Sequence, residues 1–215
     1  MRIPQPIGTK GSLKWMQRAV AARPDLLQPE ALPHLDWVSP LAADDFAEYR
    51  DGGFLAKLGL SDLAPDLSRF WPRRGPQWDG LARFDGGVVL AEAKAHLGEF
   101  DSPQSAAGTR SAALIDQAFQ QVQASLGIEF RPWRQRRYQY ANRLAHLWWL
   151  RSFGVDARLL FVSFLGDPEM PGSASRQDWH AAYELADREL GLPADHELTR
   201  YVHHCFVDVA PLQQT

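Results

Sequence analysis

Apolar and polar positions along this chain recur with two different periods. In residues 9–22, Leu13, Met16, Ala19 and Val20 return at helical spacing and Pro24 stops the run, which predicts a first helix. A proline-punctuated stretch follows through Pro40. Residues 41–50 are expected to form a second helix, with Ser39 or Asp44 near its start and Gly52-Gly53 ending it. Residues 62–76, rich in Pro and Arg, read as a loop. Leu114, Ile115, Ala118, Phe119, Val122 and Leu126 mark one apolar stripe of a helix over 111–126, capped by Gly127. A further helix covers 136–152 and closes at Gly154. The run ARLLFVSFLGD is almost continuously apolar, as a strand buried on both faces is. Residues 176–190 give another helix, and YVHHCFVDV a closing strand. The order of helices, hairpin, helices, strand, helix and strand predicts an α/β (α+β) protein with a mixed central sheet flanked by helices. One domain is expected over 1–215, with a helical portion (1–76) and a core (77–209).

The hairpin is QWDGLARF-DG-GVVLAEAKA. An Asp-Gly pair between strand-like runs is a strong turn signal. With Asp85-Gly86 as the loop, Phe84 pairs with Gly87, and counting back sets Asp79 opposite Glu92. Side chains alternate along a strand, so Glu92 and Lys94 share a face, and directly opposite residues share one too. Asp79, Glu92 and Lys94 therefore converge. A Gly86-Gly87 loop would set Asp79 against Lys94 and keep the shared face. A three-residue loop would break it, because a one-residue slip turns every side chain over.

Composition narrows the setting. Apolar residues make up 45% and charged residues 23% of 215, the balance of a globular protein with a sizeable core. One cysteine, Cys205, excludes an internal disulfide framework and a cysteine-rich zinc cluster. No run approaches the roughly 18 apolar residues of a membrane span. The start, MRIPQPIGTKGSLKW, lacks the apolar centre of a secretory signal. A cytoplasmic protein without a membrane partner is expected. The formal net charge of −3 gives no support to non-specific coating of nucleic acid. Local charge differs. Arg73 and Arg74 precede Asp79, and Arg131, Arg134, Arg136, Arg137 and Arg143 form a stretch without an acid, interleaved with Trp133, Tyr138 and Tyr140. Such a mix can hold a phosphate backbone and stack bases. It reads equally as a solvated helix start with some buried aromatics. Arg73, Arg74, Arg134, Arg137 and Arg143 are the candidate nucleic-acid contacts.

Val88, Val89, Leu90, Ala91 and Ala93 surround Glu92 and Lys94, so these charges sit near a core. Carboxylates there are costly unless paired or bound to a cation, and two facing across a hairpin repel. A magnesium ion, which prefers oxygen ligands, would relieve both penalties. Lys94 would offset remaining charge, orient a water or stabilise charge on a phosphate.

An Asp in one strand followed by Glu-x-Lys in the next, here Asp79-(x)12-Glu92-Ala93-Lys94, resembles the PD-(D/E)xK nuclease superfamily of restriction and DNA-repair enzymes. The resemblance covers mainly residues 77–127, with the strand at 157–165 consistent with that core. It implies a restriction-endonuclease-like fold and a nuclease that hydrolyses phosphodiesters in nucleic acid, DNA above all. Asp79, Glu92 and the Ala93 backbone carbonyl would bind Mg²⁺ or Mn²⁺, and Lys94 would assist the nucleophilic water. A homodimer is a further option, since many such nucleases dimerise to cut both strands. Two features depart from the pattern. Trp78 stands where the proline of the superfamily name would be, with Gly80 following, and residues 9–22 contain no acid. Glu30, Asp45 or Glu48 could substitute. Gln117 and Gln121, one helical turn apart, and His96, two residues beyond Lys94, are possible accessories.

The rival to a nuclease is a catalytically inactive binding or assembly module on the same fold. A metal-free acid/base pair of Asp79 and Glu92 is weaker, because Lys94 would keep both ionised. Gln139, Asn142, Arg143 and His146 form a polar stripe that faces either the sheet or water. His203 and His204 point to opposite strand faces and cannot chelate one metal together, so a structural role is expected for them and Cys205. No GxGxxG or GxxxxGK[ST] segment is present, so no nucleotide cofactor is expected.

Overall fold

A computed structural model of the chain describes residues 1–100, 105–170 and 175–214. In chain order the regular elements are β1 (Arg2–Ile3), α1 (Gly11–Ala22), β2 (Asp36–Ser39), β3 (Glu48–Tyr49), α2 (Gly52–Leu58), α3 (Ala64–Phe70), β4 (Gly80–Phe84), β5 (Gly87–Lys94), α4 (Thr109–Ser125), α5 (Tyr138–Ser152), β6 (Asp156–Leu165), α6 (Arg176–Leu190) and β7 (Val202–Asp208). The main sheet has the order β2-β4-β5-β6-β7, and β1 pairs with β3 in a separate ribbon. The hairpin side is antiparallel, while β5–β6 and β6–β7 are parallel, with α4, α5 and α6 in the crossovers. This is the mixed α/β architecture that the pattern predicts.

The two parallel central strands are the most apolar because both their faces are covered. On one face Leu81, Leu90, Leu159 and Phe161 pack against α2, α3, α4, α5 and α6 through Phe54, Phe70, Phe119, Leu144 and Trp179. On the other face Ala82, Val89, Ala91, Leu160 and Val162 meet Trp15, Met16 and Ala19 of α1. The Trp15 indole donates to Asp167 Oδ2 at 2.8 Å, which ties α1 to the segment after β6. Gly80 allows this closeness: a β-carbon there would stand 2.5 Å from Met16 Cε and 2.7 Å from the Trp37 ring.

The hairpin register is as expected, with Phe84 opposite Gly87 and Gly80 opposite Ala91, and Gly86 takes the left-handed φ of 80° that its turn requires. The helix expected over 41–50 is absent. A short 3-10 turn at Ala42–Asp44 is followed by left-handed Asp45 and Phe46 and then by β3. Pairing with β1 takes Glu48 and Tyr49 into an extended backbone. Gly52-Gly53 open α2 rather than close a helix. The loop expected over 62–76 contains α3, with Pro65 tolerated in the first turn and Leu67 and Phe70 buried. The portion 1–76 is therefore not only helical, since it supplies β2 to the main sheet.

Candidate active site

Three acids and two bases meet where β4 begins and β5 ends, on the sheet face covered by α5. The β4–β5 ladder runs to Gly80–Ala91, and continuing it one residue sets Asp79 beside Glu92. Asp79 Oδ2 accepts the Ala93 N–H at 2.7 Å. In an extended strand the carbonyl of a residue faces the same lateral side as its N–H. The Ala93 carbonyl is therefore directed toward the Asp79 side, beyond the end of the ladder.

Glu92 is 4% exposed. Its Oε1 accepts Lys94 Nζ at 2.5 Å, and its Oε2 accepts Arg143 Nε at 2.6 Å. The same guanidinium donates to Asn142 Oδ1 at 2.8 Å and to the Gln77 carbonyl at 3.0 Å, and lies 4.8 Å from the Trp78 ring centre. The polar stripe on α5 thus faces the sheet. Arg143 is a candidate phosphate contact by sequence, but its donors are committed to Glu92, Asn142 and Gln77. Burial works against the Glu92 carboxylate, but Arg143 and Lys94 outweigh it and hold its pKa below the usual range. Burial likewise disfavours the Lys94 ammonium, and Glu92 and Asp79 more than compensate, so Lys94 is raised. Lys94 is a cation here, not a neutral base.

Glu48, 7% exposed, is the one of the three acids weighed as substitutes that lines the cleft with Asp79 and Glu92. The Trp78 N–H donates to the Tyr49 carbonyl at 3.0 Å, an isolated bridge that brings β3 beside Asp79. Gln77 Nε2 donates to Glu48 Oε2 at 2.5 Å. The other two substitutes lie elsewhere: Glu30 is exposed, and Asp45 pairs with Arg2 at 2.6 Å. Burial raises the Glu48 pKa and Glu92 adds to this, against the Gln77 hydrogen bond. Asp79 is raised well above its ordinary value, first by burial and then by Glu92, against Lys94.

The cluster opens into a cleft of roughly 750 Å³, also lined by Arg73, Arg74, Tyr138 and Asn142. Three carboxylates against Lys94 and Arg143 leave one formal negative charge if all are ionised. No protein hydrogen bond among the described residues reaches Asp79 Oδ1 or Glu48 Oε1. Among those residues no group of three or more His, Cys, Asp or Glu could hold a metal ion. Magnesium, however, commonly binds through one or two carboxylates and keeps several waters. Asp79, Glu48 and the Ala93 carbonyl suit that mode by donor type. Glu92 suits it less, since both its oxygens are engaged by cations.

The remaining candidates fall outside the cleft lining. Gln117 and Gln121 are exposed on α4, and the neighbouring Gln123 is the buried one, accepting the Arg131 N–H at 2.6 Å. His96 lies past the end of β5 and faces Glu99 at 3.3 Å. Arg134 pairs with Asp116 at 2.9 Å and Arg137 with Glu189 at 2.6 Å, so each is charge-compensated. Sequence reasoning missed Gln77, whose only signal was its position two residues before Asp79, and the clamp role of Arg143. His203 and His204 face opposite sides of β7, as expected: His203 pairs with Leu160 and His204 with Phe161, residues of the two different cores. Burial lowers the His204 pKa to about 4.

The fold and site define a mixed α/β protein with an acid–lysine cleft at one end of its central hairpin. No family model matches the chain, and no curated protein or solved structure does. No helix among the described residues is long and apolar enough to cross a membrane.

Proposed function

We propose that this chain is a metal-dependent nuclease of the PD-(D/E)xK kind, hydrolysing phosphodiester bonds in nucleic acid, with DNA as the substrate. The observation that carries the reading is the convergence of Asp79, Glu92 and Lys94 on one cleft, with Glu48 supplied from β3. Asp79, Glu48 and the Ala93 carbonyl would hold Mg²⁺ or Mn²⁺. Such an ion, when bound, polarises the phosphate and lowers the pKa of a water. Lys94 offers an N–H donor to the attacking water or to a phosphate oxygen. Arg143 keeps Glu92 ionised, and Glu92 in turn fixes the Lys94 ammonium. Arg73 and Arg74, exposed on the cleft wall, engage flanking phosphates.

The test is cleavage of plasmid and single-stranded DNA in Mg²⁺ or Mn²⁺ by the wild type and Lys94→Ala. We expect activity that requires the metal and falls by about 100-fold or more in the variant, the scale of losing one preorganised charge-stabilising donor. Equal rates for the two proteins would remove Lys94 from the mechanism.

A second reading, an inactive binding or assembly module, is favoured by the saturation of Glu92 by Lys94 and Arg143. A folded protein that neither cleaves DNA nor binds Mn²⁺ would select it.

A further inference from the structure

A second cavity, of roughly 610 Å³, lies behind the wall of the catalytic cleft. Residues 71–75 line both spaces. The wall is held in place by Asp51, which accepts the Gly75 N–H at 2.9 Å and the Arg74 N–H at 3.4 Å. Asp51 and Arg74 both have left-handed φ, 52° and 65°, an arrangement costly for residues with a side chain and retained where the surroundings enforce it.

His146 lines this cavity and is only 1% exposed. Its Nδ1 lies 2.8 Å from the Asn142 carbonyl. A carbonyl only accepts, so Nδ1 carries the proton, and the neutral ring leaves Nε2 as a bare acceptor. Burial keeps the ring neutral, with a pKa of about 3. Trp71 crosses His146 edge to face at 4.8 Å between ring centres. The cavity thus offers an indole, the acceptor nitrogen of the His146 ring, and two exposed guanidiniums, of Arg73 and Arg74, on the wall it shares with the cleft. That combination suits a planar heterocycle with N–H groups joined to a phosphate.

We propose that this cavity takes up the unpaired base of a nucleotide adjoining the phosphate held in the catalytic cleft. His146 Nε2 accepts an N–H from the base, Trp71 provides apolar contact, and Arg73 and Arg74 hold the connecting backbone. Only a single-stranded or locally opened substrate can present such a base. The inference rests on the nuclease reading for its substrate class.

The experiment measures equilibrium binding of a labelled eight-nucleotide single strand in EDTA, by fluorescence anisotropy. The same oligonucleotide is prepared with one abasic position moved along it, and Mg²⁺-dependent cleavage is assayed separately. An abasic position at the pocket is expected to weaken wild-type binding by about tenfold, within the range of one base–aromatic contact. His146→Phe keeps a ring but removes the acceptor, and should shrink that difference. Ser68→Trp, on the exposed side of α3, blocks the cavity without touching the core and should do the same if the histidine variant fails to fold. Wild-type binding unaffected by any abasic position overturns the pocket, whether or not cleavage occurs. An abasic penalty without cleavage sustains the pocket and removes the catalysis. No binding of the oligonucleotide at millimolar concentration overturns the pocket, and the separate cleavage assay alone then decides the nuclease reading.

Discussion

The two sides of the acid cluster are built differently. Glu92 is closed off: its oxygens are taken by Lys94 and Arg143, and its burial is compensated by two cations. Asp79 and Glu48 each receive one neutral donor, the Ala93 N–H and the Gln77 amide, and each keeps an oxygen without a protein partner among the described residues. Their pKa values move in opposite directions, Glu92 down and Asp79 and Glu48 up. The same chemical group at the same end of a sheet is thus a structural anion on one side and a charge awaiting a proton or a cation on the other. The difference teaches where a metal would add most: at Asp79 and Glu48.

The largest effect should come from opening the closed side. Arg143→Met strands Glu92 beside Lys94 alone in a site where both partners' side chains are under a tenth exposed. Loss of one partner of a buried pair costs about 3–5 kcal/mol, to be read from urea unfolding at pH 7. Adding Glu92→Gln to Arg143→Met should recover part of that loss. A cost under about 1 kcal/mol for the single variant would show that the pair is not sealed.

The open side should respond with the opposite sign. A carboxyl whose folded pKa is raised contributes stability below its unfolded pKa of 3.8, and this is lost as pH rises through the folded value. Asp79→Asn removes the charge and can keep an oxygen to accept the Ala93 N–H. It should stabilise the metal-free protein at pH 8 by about 2 kcal/mol, the scale of an incompletely compensated buried polar group. The gain should vanish below pH 4. An Asp79→Asn variant less stable than wild type at pH 8 would mean that the carboxylate is already compensated.

Each side was legible in the sequence only in part. Asp85-Gly86 and the apolar alternation of β5 set the register locally, so Asp79, Glu92 and Lys94 could be placed together before any packing was known. The i, i+3, i+4 spacing identified the face that carries Arg143 but not Glu92 as its partner, because which way a polar stripe turns is a tertiary decision. Glu48 could be named only as one of three substitutes. Its place depends on a two-residue strand paired with β1 and bridged to Trp78, and no local period marks an element that short. α2 and α3, at seven residues each, are below the length at which a helix is stable by itself, so packing rather than propensity defines them. Gly52-Gly53 misleads for the same reason: glycine punctuates a helix, and which side it punctuates is settled by the partners of Phe54 and Leu55.

The smallest effect tests the open side directly. A ligand that binds only the folded state stabilises it by about 1.4 kcal/mol at ten times its dissociation constant, or about 2–4 °C per kcal/mol for a chain of this size. Mn²⁺ or Mg²⁺ should therefore raise the wild-type melting temperature by a few degrees. The shift should grow as pH rises, because the raised pKa of Asp79 makes metal compete with a proton for the same oxygen. Asp79→Asn should abolish the shift while leaving the metal-free protein folded. Lys94→Ala should keep it, since Lys94 donates to Glu92 and supplies no ligand. A shift kept in Asp79→Asn would take the metal away from Asp79, and a shift enlarged in Lys94→Ala would assign it to the Glu92 oxygen that the lysine occupies.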